Sequence, residues 1–191
     1  MSFKKAFLVL LPSLYAIHDV QQKIGKDGKC QTQDLLQRLA AQPEKLFAGK
    51  FRQQCAALCF RYRDDGSTIE ILVITSRDSG RWIIPKGWPM EGKAPHEAAA
   101  IEAWEEAGVR GKVRKKPVGR YTYLKLLGDG EVVPRIVDVF QIEVKKKYET
   151  FEERGERVLA WVSPDEAARR VREVALKSML VEFTPRGARR N

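Results

Sequence analysis

The 191-residue chain is 43% hydrophobic and 31% charged, which excludes the signature of a disordered chain and supplies one substantial core with an appendage rather than two full domains. Thirty-five Lys and Arg against 25 Asp and Glu leave a formal charge of +10, which favours anionic partners. The basic residues are nevertheless dispersed, at 112–116, 145–147, 169–172 and 186–190, as on a solvated surface, and nucleic acid is not expected as a partner.

At the start of the chain, Lys4 and Lys5 precede an apolar run over 6–17 that has the look of a signal peptide. Pro12 interrupts that run, no small-residue cleavage site follows, and it is too short to span a bilayer, so an element packed on the domain is expected and stable membrane insertion is not. Residues 18–50 are polar, with a helical stretch over 32–41 that gathers Leu35, Leu36 and Leu39, and 1–50 reads as an extension. Runs over 55–62 and 69–75, joined by Asp64-Asp65-Gly66, predict a β-hairpin. Cys55 and Cys59 share one face of its first strand; with Cys30 they lack metal spacing and predict buried, reduced thiols suited to the cytoplasm. Pro95 and Gly108 punctuate an Ala- and Glu-rich helix over 95–107. Strands are predicted over 120–127, 132–144 and 158–162, with Gly128-Asp129-Gly130 as the turn between the first two.

The last helix opens with Ser163-Pro164-Asp165-Glu166, a capping box, and carries Ala168, Val171, Ala175, Leu176, Met179, Leu180 and Phe183 at helical spacing toward a core. The basic tail 184–191 is expected to be mobile. Strands, helix, strands, helix is the order of an α+β domain with a mixed sheet between helices.

The chemistry concentrates at 85–92 and in the following helix. Glu102, Glu105 and Glu106 share one helix face with no lysine or arginine one turn away, so like charges repel there and neutralising any one of them should stabilise the bare helix. Ala100, Ala103, Trp104 and Ala107 form the opposite, sheet-facing side. A solvated acidic face is the bland alternative; a hard divalent cation bound through oxygen is the functional one. Gly87 and Gly92 permit close backbone approach to a ligand, and Lys86 beside them suits phosphate. Arg77, Lys86 and Arg135 are candidates for gripping substrate phosphates, each equally able to be a surface residue, and Trp88 is a candidate for stacking on a base, whereas Trp82 belongs to an apolar run and predicts core.

Residues 87–109 resemble the Nudix box, Gx5Ex7REUxEExGU, through Gly87, Glu102, Ala103, Glu105, Glu106, Gly108 and Val109. Ser76-Arg77, Trp82-Ile83-Ile84-Pro85, the Arg135 strand and Arg157 with Trp161 resemble the diphosphoinositol polyphosphate phosphohydrolase branch, and the resemblance covers about 52–183. Two positions depart from the box, Lys93 for its first Glu and Ile101 for its Arg; we read them as one discarded charge pair, with Glu91 as a replacement for the lost Glu. The resemblance implies an α/β/α sandwich over 51–183 that hydrolyses a phosphoanhydride in a diphosphoinositol polyphosphate or dinucleoside polyphosphate. It also implies Mg2+ or Mn2+ held by Glu102, Glu105, Glu106 and the Gly87 carbonyl, with Ser76 joining the substrate contacts. The proton acceptor stays open between Glu105, Glu106 and an acid in 149–156. The rival reading is a non-catalytic, degenerate domain that senses a nucleotide or binds RNA.

Overall fold

The computed structural model describes residues 51–126 and 132–187. In chain order these form β1 (Arg52–Tyr62), β2 (Ile69–Thr75), β3 (Trp82–Ile83), β4 (Lys86–Gly87), α1 (Pro95–Ala107), β5 (Val109–Val113), β6 (Gly119–Leu126), β7 (Val132–Lys147), β8 (Leu159–Val162), α2 (Pro164–Arg170) and α3 (Val174–Val181). The expected helix over 32–41, the run over 6–17 and the turn at 128–130 lie outside the described residues.

β7 is the spine of one mixed sheet. β1 runs parallel to it from Arg52↔Arg135 to Phe60↔Glu143, and β6 and then β5 pair antiparallel along its other edge. β1 also pairs with β2 beyond Phe60 and with β4 at Cys55↔Gly87 and Ala56↔Lys86, while β2 carries β3 and β8. The hairpin turn forms as expected: Asp65 Oδ1 accepts from the backbone N–H groups of Ser67 and Thr68, each at 2.8 Å, and Gly66 supplies the positive φ of 66°.

Alternation along β1 builds two cores. Ala56, Leu58 and Phe60 face α2 and α3, where Ala167, Val171, Leu176 and Leu180 are buried; Cys55, Ala57 and Cys59 face α1 with Ala98, Ala99, Ala103 and Ala107. The result is the expected α/β/α sandwich, with both thiols buried and unbridged. Ala98 and Ala99 complete the sheet-facing side of α1, where Ala100 is partly buried against the same core and Trp104 is not part of it. Trp104 instead meets Tyr148 edge-on at 4.8 Å with the Arg110 guanidinium 4.2 Å from its ring. Trp82 is half-buried against the α2–α3 core, and the Arg170 guanidinium lies 4.8 Å from its ring.

Three features differ from the sequence expectation. A continuous last helix is replaced by α2 and α3, because Val171 turns extended (ψ 162°) and enters the core, and the restarted helix leaves Ala175 exposed. Only half of the capping box forms: Ser163 accepts from the Glu166 N–H at 3.3 Å, while the Glu166 carboxylate turns to Arg169 and Arg170. In the described part of the tail, Arg186 O accepts from Gln141 Nε2 (3.1 Å) and Arg114 Nη1 (2.9 Å) and Arg186 N–H donates to Gln141 Oε1 (3.1 Å). β5, unread in the sequence, fills the sheet edge after Gly108.

Candidate functional site

The site is organised by the dipeptide Lys86–Gly87. Pairing with Ala56 sends the Lys86 side chain to the α2–α3 face, and pairing with Cys55 turns Gly87 to the α1 face. The Glu102 carboxylate occupies the space a Cβ at position 87 would take, so only glycine lets the helix and β4 meet. Pro95 at the start of α1, the Glu97 carboxylate accepting from the Ala94 N–H at 2.9 Å, and Gly108 at φ 64° fix where the helix begins and ends.

The three glutamates stand in different environments. Glu106 is buried: one oxygen accepts from the Lys86 backbone N–H at 2.9 Å and the other pairs with Arg157 Nη2. Arg157, with its side chain only 4% exposed, also donates to Glu153 Oε2 at 2.7 Å and to the Thr75 carbonyl at 3.0 Å. Burial raises the Glu106 pKa, against the lowering effect of Arg157 and the Lys86 N–H. For Glu102 the charge of Lys86 offers only the smallest of the contributions as relief. Burial first, then the charges of Glu106, Glu105 and Glu153, push its carboxyl up to about 7. Glu105 is half-buried and raised by burial and by Glu152 and Glu153. The segment carrying these acids is hydrogen-bonded to α1, through Tyr148 N–H to Gly108 O (2.8 Å) and Glu153 N–H to Glu105 O (3.0 Å).

Among the described residues, no three metal-ligating side chains converge as they stand. The donor chemistry nonetheless fits a hard cation: three carboxylates share one helix face, and that of Glu102, its pKa raised to about 7 by burial and by its acidic neighbours, lies against Gly87.

The sequence-derived substrate contacts divide. Arg77 is exposed and bridges Glu153 and Glu156, each at 3.2 Å, and Ser76 Oγ lies 2.6 Å from Ser79 Oγ. The Lys86 ammonium lies 5.8 Å from the Tyr123 ring centre, its pKa lowered chiefly by burial. Arg135 is 4% exposed on the same face, its guanidinium 4.9 Å from the ring of the exposed Trp88, and its Nη1 has no hydrogen-bond partner. Tyr123 donates to Gln54 Oε1 at 2.8 Å beside it. Lys93 is exposed in the turn before α1 and Ile101 is half-buried on the helix. Arg157, Tyr123 and Glu173 have no role assigned from the sequence; Arg157, with Trp161, enters there only through the family resemblance.

The NUDIX domain model matches residues 52–182. Nudix hydrolase 16, mitochondrial, of Arabidopsis thaliana is 31% identical over 62% of this chain and 67% of its own length. Diphosphoinositol polyphosphate phosphohydrolase 2 of Rattus norvegicus is 41% identical over a shorter stretch, 33% of this chain and 34% of that protein, so the chain aligns with only about a third of the latter's length. Among solved structures, a C. elegans Ap4A hydrolase in a binary complex superposes with a TM-score of 0.52 at 18% identity, covering 69% of this chain and 94% of that one. A NUDIX hydrolase from Nitrosomonas europaea gives 0.53 at 20%, covering 70% and 87%. These two likenesses speak to the fold, whereas the domain match spans both faces of the site, and by it the chain belongs to the Nudix hydrolase family.

Proposed function

We propose that the chain hydrolyses a phosphoanhydride bond in a polyphosphorylated small molecule, a dinucleoside polyphosphate or a diphosphoinositol polyphosphate, with Mg2+ or Mn2+ held by Glu102, Glu105, Glu106 and the Gly87 carbonyl. The observation that carries this reading is Glu102, crowded by two carboxylates against a backbone position that admits only glycine. A side chain kept in a repulsive setting is explained by a cation that removes the repulsion. The chemistry such a cation supplies is neutralisation of phosphoryl charge and acidification of the attacking water.

The remaining work falls to the chain's own residues. Glu106 is committed to Arg157 and the Lys86 N–H, and Glu153 to Arg157 and Arg77, so Glu105, without a side-chain ion pair among the described residues, is our choice for accepting the water's proton. Lys86 and Ser76 approach the phosphate chain, and Arg77 joins them by exchanging Glu153 and Glu156 for phosphate oxygens. Arg135 holds the group attached to that chain. The net charge of +10 assists capture. In this reading residues 51–183 are the catalytic domain, 1–50 an added extension and 184–191 a basic tail, and a cytoplasmic location suits the unbridged Cys55 and Cys59. No helix among the described residues is long and apolar enough to cross a membrane.

The test is a screen of purified protein with Mg2+ against nucleoside diphosphate derivatives, dinucleoside polyphosphates and inositol pyrophosphates, each with and without chelator. Chelator-sensitive phosphate release supports the reading. Tight binding with no turnover of any substrate replaces it with a nucleotide sensor, and full turnover in excess chelator removes the metal helix.

A further inference from the structure

Toward the α2–α3 face, two buried polar atoms have no partner among the described residues. Arg135 Nη1, a donor, and Glu173 Oε2, an acceptor, are both withdrawn from solvent and make no hydrogen bond. Each such group costs about 1–3 kcal/mol unless something satisfies it, and native folds rarely tolerate them without a use. Tyr123 on β6 is the register partner of Arg135, and α3, which Glu173 opens, packs on the same β6, where the Glu173 charge raises the pKa values of Tyr121 and Tyr123. Glu173 arrives there because the chain breaks between α2 and α3. Although it stands at the start of α3, its side chain makes no capping hydrogen bond, so the helix does not account for it.

A ligand that satisfies both atoms must offer an acceptor to the guanidinium and an N–H donor to the carboxylate, and must tolerate aromatic neighbours. Trp88, 45% exposed, and Tyr123 supply those neighbours. A nucleobase has all three properties: ring acceptors, amino or imino donors, and a flat face for stacking. A fully phosphorylated inositol ring has none of the donors and presents anionic oxygens to a buried carboxylate, which repels them.

We infer that Glu173 is a specificity-determining residue, whose unpaired carboxylate oxygen together with Arg135 Nη1 and the Trp88 ring selects a nucleobase-bearing substrate and rejects a polyphosphorylated inositol. This rests on the hydrolase reading for its purpose but not for its binding chemistry, so it is measured without turnover. Calorimetric titrations of the full chain in chelator with AMP, GMP and inositol hexakisphosphate are compared for the native protein, Glu173→Ala, Glu173→Gln and Trp88→Ala.

The native protein is expected to bind at least one of the two nucleotides. Glu173→Ala and Trp88→Ala should each weaken that nucleotide about tenfold or more, the scale of one lost hydrogen bond to a charged group or one lost stacking contact. Inositol hexakisphosphate should bind Glu173→Ala and Glu173→Gln several-fold more tightly than the native protein, an opposite change that unfolding cannot produce. Native protein that prefers the inositol phosphate to both nucleotides, or Glu173 variants that weaken all ligands alike, overturns the inference. Turnover of an inositol pyrophosphate with Mg2+ alongside absent nucleotide binding sinks this inference alone. Absence of phosphoanhydride hydrolysis with the nucleotide preference intact sinks only the activity.

Discussion

The two faces of the sheet treat buried charge differently. On the α1 face, Arg157 is enclosed with partners for every direction it points: Glu106, Glu153 and the Thr75 carbonyl. On the α2–α3 face, Arg135 is equally enclosed but meets an aromatic ring and leaves a donor unused. Desolvating a cation is tolerated structurally when its partners are internal. An incomplete set points outward to a ligand. The first arrangement therefore holds the glutamate helix to its loop, and the second is the one that the proposed function would use to receive substrate.

The largest expected effect tests that contrast directly. Arg157→Ala strands Glu106 and Glu153 and should cost about 3–5 kcal/mol of unfolding free energy by denaturant titration. Arg135→Ala, at matched burial, should cost under about 1.5 kcal/mol, because it removes an unsatisfied donor rather than a pair. Equal losses would erase the distinction between the faces.

Within the α1 face, Glu105→Gln and Glu106→Gln should each lower turnover by at least about a hundredfold, roughly 2.7 kcal/mol of barrier. Their stabilities should diverge. Mutual repulsion alone would let both substitutions stabilise the protein, but Glu106 is the partner of a buried arginine, so only Glu105→Gln should raise the melting temperature in chelator. A rise for Glu106→Gln would show that Arg157 is not its counter-ion.

A smaller effect concerns pH. Glu102 titrates near 7 in the fold against an ordinary 4.5, so the native state holds this proton more tightly than the unfolded chain does. Its contribution to stability is complete below about 4.5 and is lost as pH rises through about 7. Metal-free protein should therefore melt lower at pH 8 than at pH 5, Glu102→Gln should flatten that decline, and Mg2+ should oppose it. A decline unchanged in Glu102→Gln would assign it elsewhere. The smallest effect is on Arg77, whose exposed pairs with Glu153 and Glu156 are worth little. Arg77→Ala should leave stability nearly unchanged and raise KM a few-fold for long phosphate chains, a difference that added salt diminishes because the contact is screened. A KM insensitive to both would remove Arg77 from the substrate path.

Legibility in the sequence followed the range of the interactions. α1 was readable because Pro95, Gly108 and the glutamate spacing are local signals, and the hairpin because Asp65-Gly66 names its own turn. The counter-ion of Glu106 was not, since Arg157 lies 51 positions away and only the folded loop brings it near. The break between α2 and α3 was invisible to periodicity: Val171 is apolar at a helical position and is buried, but by leaving the helix rather than by facing inward from it. Glu173, given no role from the sequence, is brought to its place by that break.

The central position of β7 has a consequence for how the molecule is made. β1 finds its parallel partner only across a long stretch of chain, as with Gln53 and Asp138, 85 positions apart, and parallel pairing offers no short turn to nucleate it. During synthesis the hairpin of β1 and β2, β4 and the glutamate helix all emerge before the strand that completes their sheet. Their apolar faces stay uncovered until β7 arrives, so folding is expected to be sensitive to truncation inside β7.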